Sequence, residues 1–501
     1  MSGSASRRDW ANRPAAVPEL RTVAIAGATG YVGGRLLDRL LDDGGYRIRA
    51  IARTPQKLAS VEAASGGRLR TFQGDVQKSD SLDESLAGVE VAYYLVHSLG
   101  VGGDFGDTDI RGAENFAAAC ERAGVRRIVY LSGLGSQDDE LSEHLKSRHE
   151  SGDALRTTSV PVTELRAAII VGSGSASFEI IRDLSRKLPV MVTPRWVSSR
   201  CEPIGIRDVV SYLIGVLDEP RTVGETLEIG GGDVLTYAEM MRRCAEEQGK
   251  RVRILTVPVL TPRLSSYWLH LVTSVDMSIA RPLIDGLRND VICRDKRVRQ
   301  WIPLELADYR TSVRRALARE KSRTKRESRW TDASIPARVR EVGDRLRLMP
   351  SKERFSETRT FETDLSDEEV FSRISRIGGE FGYGSIAGFL WKVRGLIDRV
   401  GGGPGLRRGR PFGNELRQGD AVDFWRVVEC ERPRRLSLVA EMRVPGEARL
   451  TWTVEPGASG ARLVQTATLT NDSLMSGVYW YMIAPAHDFV FDRLGSHLLS
   501  D

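Results

Sequence analysis

Three glycines, Gly27, Gly30 and Gly33, stand between a short apolar run, Val23 to Ala26, and a stretch that places Leu36, Leu37, Leu40 and Leu41 on one helical side. A strand, a glycine turn and a helix in this order can hold the pyrophosphate of a dinucleotide. Glycine permits the tight turn, close approach of backbone to phosphate, and close packing of helix on strand. The helix, starting near Tyr31, adds N–H groups without intrahelical partners and a partial positive charge. Thr29, Tyr31 and Val32 occupy the same turn and are counted with the glycines as cofactor-binding residues. A glycine triplet carries weight when it sits inside a βαβ unit, and this one does.

The second strand, Tyr46 to Ala52, ends in Arg53. An acidic residue there would accept from a ribose 2′-hydroxyl, whereas arginine accommodates a 2′-phosphate. NADP(H) is therefore the expected cofactor; a solvated loop cation is the plain alternative for Arg53. His97 follows the strand Val91 to Val96, at the strand end where open α/β sheets bind ligands.

Around these residues, positions 20–230 alternate strand and helix signals, the pattern of a doubly wound parallel sheet. Expected strands are Leu69–Gly74, Arg127–Leu131 and Val162–Val171; expected helices are Asp109–Ala123, Glu143–Leu155, Phe178–Lys187 and Tyr237–Gln248. Near residue 322 the character changes. A strand at Phe355–Thr363 and a helix at Asp367–Ile377 precede strands at Asp423–Cys430, Arg435–Arg443, Ala448–Glu455 and Ala461–Thr470, then a helix at Ser476–Leu499. The expected division is a disordered leader (1–19), a Rossmann α/β domain (20–321), a basic linker (322–352) and a smaller α+β domain (353–501). In that last helix Tyr479, Trp480, Tyr481, Phe489 and Phe491 read as a core-facing side, the alternative being a ligand cavity or a membrane contact.

The chain has 501 residues, 28% of them charged, and a net charge of +6. Its excess peaks at Arg314, Arg315, Arg319, Lys321, Arg323, Lys325, Arg326 and Arg329, which reads as a solvated helix end and linker, with anionic lipid as the other face it would suit. No zinc-finger spacing or RNA-binding aromatic motif accompanies it, so nucleic acid is not an expected partner. Five separated cysteines, Cys120, Cys201, Cys244, Cys293 and Cys430, read as free thiols in a reducing cytoplasm. No metal-ligand spacing is present.

Taken together, GATGYVG (27–33), Arg53, GDV (74–76), YYLVHS (93–98), YLSGLG (130–135) and LRAAIIVGSGSASF (165–178) resemble the atypical short-chain dehydrogenase/reductases, in particular the NmrA-like and YbjT-like NAD(P)H-binding proteins. LRRGR (406–410), DFWRV (423–427) and YWYMIAPAHDFVF (479–491) resemble the uncharacterised domain that often follows them, itself similar to START-type helix-grip folds that hold hydrophobic ligands. The resemblance implies that Asp75 and Val76 hold the adenine, that Tyr94, Leu95 and Val96 line its ribose and the pyrophosphate, and that Ser132 approaches the nicotinamide.

Reductases of this superfamily use Ser, Tyr and Lys. Ser132 fits the first role, but the helix that should carry Tyr-x-x-x-Lys has His144 and Arg148 at that spacing. His144 would donate a proton, its pKa kept responsive near neutrality by the arginine, and Arg148 would hold a ribose hydroxyl or a phosphate. Equally, the two are helix neighbours without proton chemistry. His149, about 100° round the helix, reads as solvated. The expected function is hydride transfer from NADP(H) to an apolar carbonyl, enone or quinone-like substrate; the alternatives are a redox sensor that signals to a protein partner, and a lipid carrier with a vestigial Rossmann domain.

Overall fold

The computed structural model describes residues 20–97, 105–135, 142–257, 289–322, 329–332, 354–379, 385–400, 416–442, 445–470 and 474–500, with single positions or short pieces between them. In the N-terminal part, seven parallel strands run in the spatial order β7-β6-β5-β4-β1-β2-β3. They are β1 (Arg21–Ala26), β2 (Tyr46–Ala52), β3 (Leu69–Gln73), β4 (Val91–Tyr94), β5 (Arg127–Gly133), β6 (Val162–Ala167) and β7 (Thr226–Ile229). The order reverses between β1 and β4. That is the place where a doubly wound sheet opens a crevice beyond its strand ends.

Helices cover both faces, so the strands are apolar on both sides. Val23 and Ile25 of β1 pack under Leu36, Leu37 and Leu40 of α1 (Tyr31–Asp43) and Leu213 and Val216 of α5 (Ile206–Asp218). Each of the three leucines is at most 1% exposed, worth about 1.5–3 kcal/mol of burial apiece. Ala24 and Ala26 face Phe116 and Cys120 of α2 (Phe105–Arg122). The small alanines bring α2 close to the sheet. α3 (Glu143–Leu155) and α4 (Ala176–Lys187) flank the far end of the crevice. The expected strand 162–171 is broken: β6 stops at Ala167, and Ile170–Val171 pairs instead with Ile204–Gly205.

The C-terminal part is a six-stranded antiparallel sheet, β8-β13-β12-β11-β10-β9. Its strands are β8 (Arg354–Thr363), β9 (Ala421–Val422), β10 (Trp425–Glu431), β11 (Arg435–Ala440), β12 (Ala448–Pro456) and β13 (Ala461–Thr470). α6 (Asp367–Ile374) opens with a Ser366–Glu369 capping box. α7 (Ser385–Val400) is a helix that the reading by periodicity missed, and α8 (Leu474–Leu499) packs on β8 and β13. Fully buried Trp452 donates from Nε1 to Gln465 Oε1 (2.8 Å), whose amide donates to Phe491 O (3.0 Å), tying sheet to α8. Phe491 is core, as expected, but Tyr481 and Phe489 point outward at 72% and 41% exposure.

Residues 329–332 join the two parts. Glu179 of α4 accepts from Arg329 Nη2 (2.9 Å) and Trp330 Nε1 (2.8 Å), while Arg426 of β10 donates to Thr331 O (2.9 Å). Arg329 therefore ends the basic run in a buried ion pair instead of in solvent, because Glu179, 1% exposed, needs a counter-charge. All five cysteines are free; four are buried and Cys430 is half-buried. No helix among the described residues is long and apolar enough to cross a membrane.

Candidate active site

Gly27 leaves β1 with φ at +89°, a left-handed conformation that favours glycine. A Cβ there would stand 2.5 Å from Leu95 O, and one at Gly33 2.2 Å from Gly27 O. Contact thus requires glycine at both positions, and at Gly27 the conformation requires it too. Gly30 N donates to Gly27 O (2.9 Å), closing the turn. α1 then starts with no side-chain cap and no acidic residue in its first turn. An uncapped N-terminus at the sheet's switch point fits a dinucleotide pyrophosphate.

The neighbouring strand ends bring the other expected residues to the same crevice edge. Arg53 is exposed immediately after β2. Asp75 and Val76 follow β3; Asp75 Oδ1 accepts from Gln77 N (3.1 Å), and Val76 O accepts from Asn115 Nδ2 (2.9 Å). Leu95 N donates to Ala26 O (2.9 Å), so Leu95, Val96 and His97 continue from β4 alongside the glycine turn.

His97 and His144, read from sequence as rival candidates, are neighbours: their ring centroids are 4.8 Å apart. Asp109 of α2 contacts His97 Nδ1 through Oδ2 at 3.3 Å. Nothing in its spacing singled Asp109 out, because the contact crosses the fold. His97 Nε2 and the Ser132 hydroxyl are buried and make no hydrogen bond among the described residues. Buried polar atoms without partners are costly, and their convergence on one cavity suits a ligand that would satisfy them.

That cavity, about 330 Å³, is lined by His97, Ser132, His144 and Arg148, and by apolar residues including Leu134, Leu145, Ile180 and Met241. Trp330, from the segment joining the two parts, also lines it, and no motif or spacing marked that residue in advance. Burial above all, then His97 and then Arg148, pushes His144 well below the ordinary imidazole range. Arg148 is therefore the third cause, and His144 is neutral near pH 7, not poised to titrate there as the sequence suggested. Burial also lowers His97, although Asp109 opposes the shift. The Arg148 guanidinium donates to Leu131 O (2.5 Å), and Arg148 O accepts from the Tyr130 hydroxyl (2.9 Å). His149 is not solvated: it is 4% exposed, with Nε2 3.2 Å from Gly133 O, because α3 lies tightly against the end of β5.

Residues 27–187 match the NAD(P)H-binding family. Residues 350–494 match a family described as a protein of unknown function. The chain is 25% identical over 238 residues to a (4-alkanoyl-5-oxo-2,5-dihydrofuran-3-yl)methyl phosphate reductase of Streptomyces griseus, covering 46% of this chain and 75% of that protein. It is 27% identical over 244 residues to a ceramide reductase of Caulobacter vibrioides, covering 47% and 73%. Among solved structures, the Citrobacter sp. triphenylmethane reductase complexed with NADP(H) aligns with a TM-score of 0.48 and 20% identity, over 59% of this chain and 99% of that one.

Proposed function

We propose that the protein is an NADP(H)-dependent reductase of an apolar carbonyl, enone or quinone-like compound. The observation that carries the reading is the single cavity in which Ser132, His97 and His144 converge beside the glycine turn, with apolar side chains around them. Gly27, Thr29, Gly30, Tyr31, Val32 and Gly33 would hold the pyrophosphate, and Asp75, Val76, Leu95 and Val96 the adenosine half. Arg53 would meet the 2′-phosphate. When bound, the cofactor supplies a hydride.

The chain's own residues account for the rest. Ser132 Oγ–H and an imidazole N–H of His144 would donate to the carbonyl oxygen, so that its growing negative charge is met inside a water-poor cavity. A neutral imidazole serves this role as a hydrogen-bond donor, not as an imidazolium acid. The proton that the oxygen finally takes up comes from solvent, while Ser132 and His144 hold the oxyanion by hydrogen bonds. The apolar walls would select a substrate with a hydrophobic part, as the alkanoyl group and the ceramide in the two relatives' names would supply. A helix-grip role for the C-terminal part, holding or delivering that substrate, belongs to the same proposal.

The cofactor assignment is tested by calorimetric titration with NADPH and NADH. Wild-type protein should prefer NADPH, and Arg53→Asp should shift the ratio towards NADH by about 10-fold or more, since it exchanges a charge-assisted phosphate contact for repulsion. Unchanged relative affinities would remove Arg53 from the site.

A further inference from the structure

The cavity between the glycine turn and α4 has two unlike linings. His97, Ser132 and His144 bring polar groups to it. Ile180, Leu184 and Met241 line it as well, and all three belong to the apolar cluster packed around α4. Trp330 packs against that same cluster, so its indole is part of the apolar lining. At about 330 Å³ the cavity is near the lower end of ligand pockets, which run from about 300 to 1,000 Å³. In so small a space one indole decides how much apolar chain can enter.

The ring is held from several directions. Its Nε1 donates to Glu179 Oε2 (2.8 Å), and its backbone N donates to Gly174 O (3.0 Å). Both of those anchors lie in the N-terminal part. The residues on either side of Trp330 are held by the C-terminal part. Arg329 Nη1 donates to Arg408 O (3.3 Å), and Thr331 O accepts from Arg426 Nη1 (2.9 Å). Arg426, 4% exposed, is itself fixed by donating to Gly419 O (3.0 Å). A side chain tied at its polar tip and along its backbone is a rigid wall. A longer apolar group must then displace packed atoms to enter, and packed interiors resist this.

We infer, on the basis of the proposed reductase site, that Trp330 sets the length of apolar group that the cavity accepts. The test is calorimetric titration of the full-length protein, saturated with NADP+, with methyl butyl ketone and methyl decyl ketone. The oxidised cofactor keeps reduction out of the measurement. Trp330→Ala should move the ratio of the two affinities towards the decyl ketone by about 10-fold or more, as expected when a pocket gains room for further methylene groups. Trp330→Phe keeps a ring but not the N–H donor, and its ratio should stay close to wild type. An unchanged ratio in Trp330→Ala would overturn the inference. So would a phenylalanine variant that matches the alanine one, because the effect would then come from the lost bond to Glu179. Binding of neither ketone to either wild type or Trp330→Ala would overturn it together with the substrate class proposed for the reductase. Ketones that bind with the expected ratios but are never reduced by NADPH would contradict the reductase alone and leave Trp330 as the selector.

Discussion

Three histidines in the N-terminal part, His97, His144 and His149, are all held below the ordinary imidazole value of 6.5, burial being the first cause in each. The folded protein therefore keeps them neutral, while the unfolded chain takes up protons as pH falls below that value. The sign follows: stability is complete above pH 6.5 and declines below it, by up to about 1.4 kcal/mol per pH unit for each histidine. The melting temperature should fall steeply between pH 7 and pH 5, and His149→Gln, which removes one buried imidazole, should make the fall shallower. A flat profile would contradict the burial of these rings. At this scale the sequence was informative where function rests on local order: Gly27, Gly30, Gly33 and Arg53 lie where the βαβ pattern put them. It was silent on Asp109–His97–His144, whose members approach only once α2 and α3 pack over β4 and β5.

At the level of elements, the glycine turn is set by contact distances. Gly33→Ala would force a methyl group against Gly27 O, where 2.2 Å is available, so α1 must move away from β1. The expected cost is about 1–3 kcal/mol, with loss of dinucleotide binding as the helix N-terminus shifts. Thermal melting with and without NADPH checks this: the variant should melt lower and gain little from the ligand. A variant that melts and binds like wild type would show that α1 is not pinned by this contact. β1, β4 and β5 were legible because both their faces are covered and their apolar runs are continuous, whereas β2 and β3 interleave polar residues. α7 was not, since its outward face is apolar and lacks the polar alternation that marks a surface helix.

For the whole molecule, Glu179 links the two parts. Burial alone would raise its carboxyl, but Arg329 and Arg182 outweigh this and hold it below the usual range. Removing one partner of a buried pair costs about 3–5 kcal/mol because the other charge is left behind. Glu179→Ala should therefore split calorimetric unfolding into two transitions and speed limited proteolysis to two fragments. One unchanged transition would show that other contacts hold the parts together. The separate folding classes of the two parts were readable from the change of pattern near residue 322. Their connection through Trp330 and Glu179 was not, because the run of arginines before it looks like a solvated linker.

The most direct test of the central claim is a single-turnover reaction of the protein with deuterium-labelled NADPH and a panel of apolar aldehydes, ketones, enones and quinones. The account predicts deuterium on the reduced carbon of at least one product, with transfer slowed about 100-fold by His144→Ala while NADPH affinity is kept. NADPH that binds but is oxidised by none of them, and passes no deuterium to any aldehyde, ketone or enone, would contradict the reductase and make the dinucleotide a signal read by the protein.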